Sequence, residues 1–226
     1  MLGRLLAALG IFIGWPVHVV VGVCIWLMDG PPVLFRARRL GRFARVFELL
    51  KYRTMRVGCP RVVEDGGKVV VRLRDSRVTA VGGVLRCGID ELPQVVNVVR
   101  GEMAWIGPRP DEPWILPWYG PTIVERLSRL PGLTGLAQVL DARHLSAVEG
   151  YALDVWYCRN RSVWLDLWIL ICTPLYILGW HGIGHRRLSA LRGDPRYVDL
   201  LYACEREFAL FQEQVDSFSV AETQGQ

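Results

Sequence analysis

The sequence predicts a small α/β protein, mostly helical, that is attached to a membrane by an N-terminal apolar segment. Leu5–Met28 carries no formal charge, and about 20 apolar residues suffice for a membrane helix. Ile89–Val99 has the pattern of a helix start followed by an apolar helix, and Val69–Val71 indicates a short strand or buried segment. The apolar share is 51% and there are nine Trp, a residue type that collects at membrane interfaces.

Pro16 interrupts the N-terminal apolar segment near its middle and predicts a kink, because proline removes a backbone donor and clashes with the preceding turn. The arginines at 36–45 follow the segment and favour a cytoplasmic position for that end. Two paths fit: a span with Met1 outside, or a bend at Pro16 and a return to the same face. The segment's physics alone favours the span, since kinked spanning helices are common.

The remaining chain reads as short elements around irregular segments. Gly101–Trp118 is rich in Pro and Trp, which predicts irregular structure near the membrane surface. Val148–Cys158 is predicted to be helical, and Val163–Trp180 to be an interfacial or partly buried helical segment. Asp194-Pro195 is typical of a helix start. An amphipathic helix is expected from there to about Val215, followed by disorder over Ser217–Gln226.

The charge balance is basic, with 27 Lys+Arg against 22 Asp+Glu and a net charge of +5. Such a balance suits anionic lipids, phosphorylated substrates or nucleic acid, and does not choose among them. The six cysteines form no CxxC pair, and the chain shows no clustered ligands of the kind a zinc site needs.

The residues with the clearest chemistry are the adjacent carboxylates Asp90 and Glu91. Pro93 is well placed to be the first residue of the apolar helix, so the pair lies at a helix N-terminus, where free N–H groups and the dipole favour anions. An ionised Asp can attack phosphorus, and a neighbouring Glu can hold Mg²⁺ beside a phosphate. Taken alone, such a pair more often only caps a helix.

Cations elsewhere in the chain favour a phosphate site. Two of them lie in Lys51–Met55, which also supplies a hydroxyl, and Arg86 lies just upstream of the acidic pair. Arg109 stands between two prolines, which fix its backbone and lower the entropy lost on binding an anion. Four cations around two carboxylates describe a pyrophosphate site better than a nucleic-acid groove. The residues concerned are Lys51, Arg53, Thr54, Arg86, Pro108, Arg109 and Pro110.

The order of the motifs resembles the bacterial sugar transferases, the monotopic polyprenyl-phosphate phosphoglycosyl transferases, over about residues 5–178. One departure concerns Arg86, because the spacing from Arg86 to Asp90 is one residue shorter than usual, which leaves Arg86 open as a ligand. The matching motifs are Lys51-Tyr52-Arg53-Thr54-Met55, Asp75, Arg77, Thr79 and Gly82, Asp90-Glu91-Leu92-Pro93-Gln94, Asn97, Gly101-Glu102-Met103, Gly107-Pro108-Arg109-Pro110, Pro131-Gly132-Leu133-Thr134-Gly135, Ala137-Gln138, Asp154, Tyr157, Asn160, Ser162 and Asp166.

The resemblance implies a reaction and residue roles. Asp90 is expected to displace UMP from a UDP-sugar and form a covalent phosphosugar enzyme. Polyprenyl (undecaprenyl) phosphate then takes the phosphosugar, as the first membrane step of surface glycan synthesis. Glu91 is expected to bind Mg²⁺, and Lys51 to act with the pair. The expected substrate-binding residues are Arg53, Thr54, Arg86, Pro108, Arg109, Pro110, Gln138 and Asp154.

The resemblance also implies a membrane path, with Pro16 as the break of a re-entrant hairpin in one leaflet of the bacterial inner membrane and the site at the cytosolic face. Residues 1–30 are then the re-entrant helix, 31–180 the catalytic domain with interfacial amphipathic helices, and 181–226 a C-terminal extension with an amphipathic helix and a disordered end. Membrane lipid is an expected partner and nucleic acid is not, while formation of a homodimer stays open.

Two other functions fit parts of the pattern. A non-catalytic membrane adaptor with the same fold would keep the elements and lack turnover. A basic nucleic-acid-binding protein would be soluble or released from membranes by salt alone. The sequence does not decide which sugar is used.

Overall fold

The computed structural model describes residues 2–59, 63–64, 68–69, 75–140, 145–180 and 182–224. The described chain is mostly helical with short two-stranded sheets, which confirms the mostly helical α/β character. The helices are α1 (Leu2–Asp29), α2 (Ala80–Leu85), α3 (Gln94–Arg100), α4 (Leu136–Val139), α5 (Ala147–Asn160), α6 (Val163–Ile177), α7 (Gly182–Arg192) and α8 (Pro195–Gln224). The strands are β1 (Leu34–Leu40), β2 (Val46–Tyr52), β3 (Val63–Glu64), β4 (Lys68–Val69), β5 (Ala104–Ile106) and β6 (Gly132–Thr134). Short 3₁₀ helices cover Arg42–Ala44, Ile89–Glu91, Pro113–Trp118 and Ile123–Ser128.

The chain divides into two compact units. Unit 1 comprises Met1–Ala37 and Glu48–Gly101, and unit 2 comprises Arg38–Phe47 and Glu102–Gln226. The strands pair as β1-β2, as antiparallel β3-β4 and as parallel β5-β6. Val69, predicted to lie in a strand, is part of β4, whereas the other two residues of the predicted strand, 70 and 71, lie outside the described residues.

Helix α1 in unit 1 is long and apolar enough to cross a membrane by its length and composition. Pro16 lies inside it, and helical backbone continues on both sides. Phe12 and Ile13 are 76% and 70% exposed, and most other large apolar side chains along α1 are exposed as well. An apolar surface that protein does not cover suits contact with lipid.

A few contacts fasten α1 to the rest of unit 1. The Arg4 Nε donates to the carbonyl of Val99 at 2.7 Å, at the end of α3. Asn97 of α3 is fully buried. Its side-chain amide donates to the Glu48 carbonyl at 2.7 Å and accepts from the Leu50 N–H at 3.1 Å, so one side chain satisfies two backbone groups of β2. Helix α1 therefore packs against α3, and α3 is hydrogen-bonded to β2 through Asn97.

The core of unit 2 is built around α5, which packs against α8, α4 and the 3₁₀ helix Ile123–Ser128. Fully buried side chains include Leu140, Tyr157 and Ile169. Serine caps start two of its helices, because Ser146 accepts from the Glu149 N–H and Ser162 from the Leu165 N–H.

The C-terminal extension packs on unit 2, a point that the sequence leaves open. Its core side chains are Leu188, Leu191, Tyr197, Leu200 and Cys204. Helix α8 starts at the predicted place, and the Asp194 carboxylate accepts from the Arg196 N–H at 3.0 Å. The structure has helix up to Gln224, beyond Val215 where the sequence predicts its end. No Gly or Pro occurs after Pro195 until Gly225, so no residue of those types stops the helix.

Helix α6 carries a row of exposed apolar side chains. Trp164 is 78% exposed and Ile171 56%, while Leu165 and Ile169 on another face are buried. The apolar helix predicted for this segment is therefore present, with one side in the core of unit 2 and another side uncovered.

Candidate active site

The acidic pair of unit 1 lies in a 3₁₀ turn just before α3. Asp90 and Glu91 belong to the 3₁₀ helix Ile89–Glu91, which Gly88 starts at φ 114°, a left-handed conformation that favours glycine. Pro93 is the residue before α3 and not its first residue, which corrects the prediction by one position. The Pro93 carbonyl accepts a hydrogen bond from the Val96 N–H, so Pro93 stands in the capping position and α3 begins at Gln94.

The apolar neighbours of the pair hold it close to α1. Ile89 and Leu92 pack against the buried cluster of Ile25, Tyr52 and Leu85. Ile25 belongs to α1 and Tyr52 to β2. The carboxylates are therefore fixed beside the helix that is suited to lipid.

Lys51 completes a compact charged group with the pair. Its Nζ lies 2.5 Å from Glu91 Oε1, and the two side chains are 23% and 29% exposed. Partial burial raises the pKa of Asp90 above its ordinary value, while the charges of Lys51 and Arg86 act in the opposite direction. Desolvation is the largest of these effects, so the pKa of Asp90 is raised on balance even though the pair lies at a helix end.

Arg86 and Thr54 meet next to this group. The Arg86 Nε donates to Thr54 Oγ1 at 3.4 Å. Thr54 is held by α2, since its carbonyl accepts from the Thr79 N–H at 3.0 Å. A Cβ on Gly82 would lie 2.2 Å from the same carbonyl, so only glycine permits α2 to approach this closely. The structure thus brings Lys51, Thr54, Arg86, Asp90 and Glu91 together in unit 1.

Arg53 has other partners than the predicted phosphate. Its side chain is buried, with 5% of its surface exposed. The guanidinium donates to three backbone carbonyls at the end of α1, those of Asp29 at 2.8 Å, Gly30 at 2.6 Å and Pro31 at 2.9 Å. These carbonyls have no partner within the helix, and Arg53 satisfies them. In this structure Arg53, which directly follows β2, ties the end of α1 to that strand.

The second group of predicted residues lies in unit 2, where two glycines let the backbone pack closely. Gly107, which directly follows β5, lies close to Gly132 of β6. A Cβ on Gly132 would lie 2.1 Å from the Gly107 nitrogen, and a Cβ on Gly107 would lie 2.3 Å from the Leu130 carbonyl oxygen. This contact sets the start of the Pro108-Arg109-Pro110 segment, in which Pro108 is buried and the Arg109 side chain is exposed.

The backbone of Arg109 is held from both sides by a buried ion pair. Arg126 Nη2 donates to the Arg109 carbonyl at 2.6 Å and to Asp154 Oδ2 at 2.5 Å. The Asp154 carboxylate accepts a hydrogen bond from the Arg109 backbone. Arg126 and Asp154 are each 3% exposed. In the structure Asp154 therefore acts on Arg109 through its backbone.

Further groups surround Arg126. Its Nη1 contacts the Asp111 carboxylate and lies 2.6 Å from the Tyr119 hydroxyl, and its guanidinium lies 4.8 Å from the centre of the Tyr151 ring. Burial raises the pKa of Asp154 above its ordinary value although Arg126 opposes this, and burial raises the pKa of Tyr119. A buried arginine with two carboxylates fixes geometry more than it adds net stability.

Gln138 is the last predicted substrate-binding residue. It lies in α4, and its Nε2 donates to the Leu133 carbonyl at 3.5 Å. Its Oε1 is buried and has no hydrogen-bond partner in the described part of the chain. Gly135 packs on it, since a Cβ there would lie 3.0 Å from that oxygen.

Sequence reasoning missed Arg126, Asp111 and Tyr119. Each stands outside the motifs, and a single arginine in a polar stretch such as Glu125–Ser128 has the signature of a solvated side chain. The one available signal was the unpaired Asp154 in the apolar helix α5, because a buried carboxylate requires a cationic partner. Nothing in the sequence says which arginine that is.

These features describe a protein with one long, exposed apolar helix and a carboxylate–cation site. The chain belongs to the bacterial sugar transferase family, which matches residues 1–179. The resemblance seen in the motifs is thereby confirmed, and the chain is an enzyme of the transferase class.

Several curated proteins are similar to the chain. It is 34% identical over 181 residues to the exopolysaccharide production protein ExoY of Rhizobium meliloti, covering 75% of this chain and 80% of that protein. It is 39% identical over 168 residues to a UDP-glucose:undecaprenyl-phosphate glucose-1-phosphate transferase of Caulobacter vibrioides, covering 70% and 61%. A protein of the same description from Xanthomonas campestris is 34% identical over 189 residues, covering 78% and 38%. The chain therefore spans well under two thirds of the Xanthomonas protein.

Proposed function

We propose that this protein transfers a phosphosugar from a UDP-sugar to undecaprenyl phosphate through a covalent intermediate on Asp90. A carboxylate oxygen of Asp90 forms a bond to the phosphorus that carries the sugar. The bond from that phosphorus to the bridging oxygen breaks, and UMP leaves with the oxygen. An oxygen of the polyprenyl phosphate then attacks the same phosphorus and releases Asp90, giving the polyprenyl diphosphosugar.

The observation that carries the proposal is the position of Asp90 between cations and the membrane helix. Ile89 and Leu92 on either side of the pair pack against the cluster that contains Ile25 of α1, and Lys51 lies 2.5 Å from Glu91. The nucleophile is thus held beside the element suited to lipid, where an apolar acceptor would reside. The described relatives that act on UDP-glucose and undecaprenyl phosphate support the same two substrates.

The partly buried carboxylate suits the role of nucleophile. A raised pKa makes the ionised Asp90 oxygen more basic, and a more basic oxygen attacks phosphorus more readily. Lys51 and Arg86 balance the charge that burial would otherwise make costly. In unit 2 the exposed Arg109, with its backbone fixed by Arg126 and Asp154, is suited to bind the pyrophosphate.

The carboxylates also fit Mg²⁺. The described residues contain no group of three or more His, Cys, Asp or Glu that could hold a metal. Mg²⁺ commonly binds one or two protein carboxylates and takes its other oxygens from water and substrate phosphates, so Glu91 suffices as the protein ligand. When bound, the ion would neutralise charge on the diphosphate. Glu91 would then share its carboxylate between the ion and Lys51.

We further propose that α1 lies re-entrant in the cytosolic leaflet of the inner membrane, with α6 at the interface. Pro16 near the middle of α1 is the place where the helix can bend. Trp164 on the exposed side of α6 and the exposed Trp180 just after that helix are typical of a segment at the headgroup level.

The proposal is tested by Asp90→Asn and by release of UMP from UDP-sugars with undecaprenyl phosphate and Mg²⁺. We expect the parent protein to release UMP with at least one UDP-sugar of a panel and the variant to release none above background. The parent should also carry a phosphosugar adduct on Asp90 in intact-protein mass spectra when acceptor is left out. Unchanged turnover in Asp90→Asn contradicts the role of Asp90 as nucleophile. A parent protein that releases no UMP from any UDP-sugar favours the membrane adaptor. The panel also identifies the sugar.

A further inference from the structure

We infer that Glu207 of α8 is a positioning residue for Arg109, so that the C-terminal extension takes part in holding the substrate-binding segment. The inference rests on the proposed function, in which Arg109 binds the UDP-sugar. Glu207 lies beyond residue 179, where the match to the family ends. All the contacts involved lie within unit 2.

Glu207 caps the 3₁₀ helix Ile123–Ser128 from a distant part of the chain. One carboxylate oxygen accepts from the Thr122 N–H at 2.8 Å, and the other accepts from the Ile123 N–H at 3.0 Å. Thr122, the residue that precedes this helix, makes no capping hydrogen bond with its own side chain. The first N–H groups of a helix need acceptors from outside the helix, and Glu207 supplies two at once.

The space at this contact is made by Gly120. A Cβ on Gly120 would lie 2.4 Å from Glu207 Cδ and 2.5 Å from its Oε2. Any side chain at position 120 must therefore displace the carboxylate. The pairing of a glycine with a carboxylate that reaches in from α8 indicates a built contact.

The capped helix carries Arg126, which holds Arg109. Arg126 donates to the Arg109 carbonyl at 2.6 Å and pairs with Asp154, whose carboxylate accepts from the Arg109 backbone. The residue after Glu207 supports the same arginine, since the Phe208 ring lies 6.4 Å from the Tyr151 ring, over which the Arg126 guanidinium sits. A shift at the start of the 3₁₀ helix Ile123–Ser128 would therefore be passed to Arg109 through the Arg126 side chain.

The first test replaces Glu207 with Gln, with Glu205→Gln as the matched control. Gln keeps the size of the side chain, but its amide NH₂ would face one of the two N–H groups and repel it. Glu205 is exposed on the same helix, so its replacement removes the same charge without touching the 3₁₀ helix. We expect Glu207→Gln to raise the KM for the UDP-sugar about tenfold with less than about a threefold loss of kcat, because the lost contacts serve substrate binding. The control should keep both constants.

The second test uses Gly120→Ala alone and combined with Glu207→Ala. The single change should displace Glu207 and raise KM as Glu207→Gln does. In the Glu207→Ala background the added methyl group has room, so the second change should cost little, and the two effects should not add. Amide hydrogen exchange of Thr122 and Ile123 should be faster in every Glu207 variant and unchanged in Glu205→Gln.

The outcomes separate the inference from the proposed function. A parent that turns over and a Glu207→Gln variant with unchanged KM overturn the inference and leave the proposed function intact. Changes of kcat and KM that are equal in Glu207→Gln and Glu205→Gln overturn it as well. So do additive effects of the Gly120 and Glu207 substitutions on KM. A parent without turnover on any UDP-sugar overturns the proposed function, and the inference falls with it. Restoration of the parent KM by Glu207→Asp, which retains two acceptor oxygens, supports positioning over general packing.

Discussion

The basic side chains of the predicted site differ in how deeply they are buried and in which groups they contact. Arg53 and Arg126 are among the few buried polar residues, and each is bonded mainly to backbone carbonyls or to carboxylates that hold the backbone. Lys51 and Arg86 are partly exposed, and Arg109 is exposed. The five basic residues therefore divide into two that fix the chain and three that remain able to meet an anionic substrate.

The charge of Lys51 should influence the pH at which kcat/KM for UMP release falls on the acid side. Its positive charge lowers the pKa of Asp90, against the raising effect of burial, so Lys51→Met should move that pKa upward. The ionised nucleophile is then lost at a higher pH, and the acid limb of kcat/KM for UMP release should shift to higher pH. Lys51→Arg, which keeps the charge, should leave the limb close to that of the parent. A limb that stays in place or moves to lower pH in Lys51→Met would contradict this.

Close backbone contacts decide how the short elements fit together. Glycines at 82, 107 and 132 each stand where a Cβ would meet backbone within 2.3 Å. The elements they join are short, as β5 and β6 have three residues each. Short strands of this kind depend on such contacts, because they form few ladder hydrogen bonds of their own.

Two glycine substitutions in unit 2 should have opposite effects on stability. Gly132→Ala puts a Cβ 2.1 Å from the Gly107 nitrogen, so backbone must move, at a cost of about 3 kcal/mol or more. Gly150→Ala lies inside α5 with nothing within 4 Å of the added Cβ, and should stabilise by up to about 1 kcal/mol. Thermal unfolding in detergent, followed by Trp fluorescence, measures both. Equal shifts of Tm for the two variants would show that the close contact is not limiting.

At the scale of the whole molecule, the exposed apolar surface is concentrated on α1 and α6. The two helices belong to different units, and each has uncovered large side chains, such as Phe12 and Trp164. Together with a net charge of +5, these surfaces suit an anionic lipid layer more than free solution.

The membrane path can be tested on the intact chain. We expect high salt and alkaline washing to leave the protein in membranes and detergent to extract it, because apolar burial of α1 is insensitive to salt. A protease-sensitive tag at the N-terminus should be cut in inside-out vesicles and protected in intact spheroplasts, as a re-entrant helix requires. Cleavage in spheroplasts would show a straight span. Release by salt alone would contradict membrane attachment and favour the nucleic-acid-binding alternative.

The sequence alone determined the family, the membrane segment and the acidic pair. The order and spacing of short motifs are properties of the linear sequence. An uncharged apolar stretch such as Leu5–Met28 is recognised from its own residues, without knowledge of what it packs against. The Asp194 cap of α8 was equally readable, because a helix cap is a local interaction.

Only the tertiary structure decided what surrounds each charged group. It put Arg53 on the end of α1, gave Asp154 the partner Arg126, and partly buried Asp90, which raises the pKa of that carboxyl. Arg126 and Asp154 are 28 positions apart, and no sequence pattern pairs them. Burial and long-range pairing depend on how distant segments pack, and a linear pattern of residue types does not contain that information.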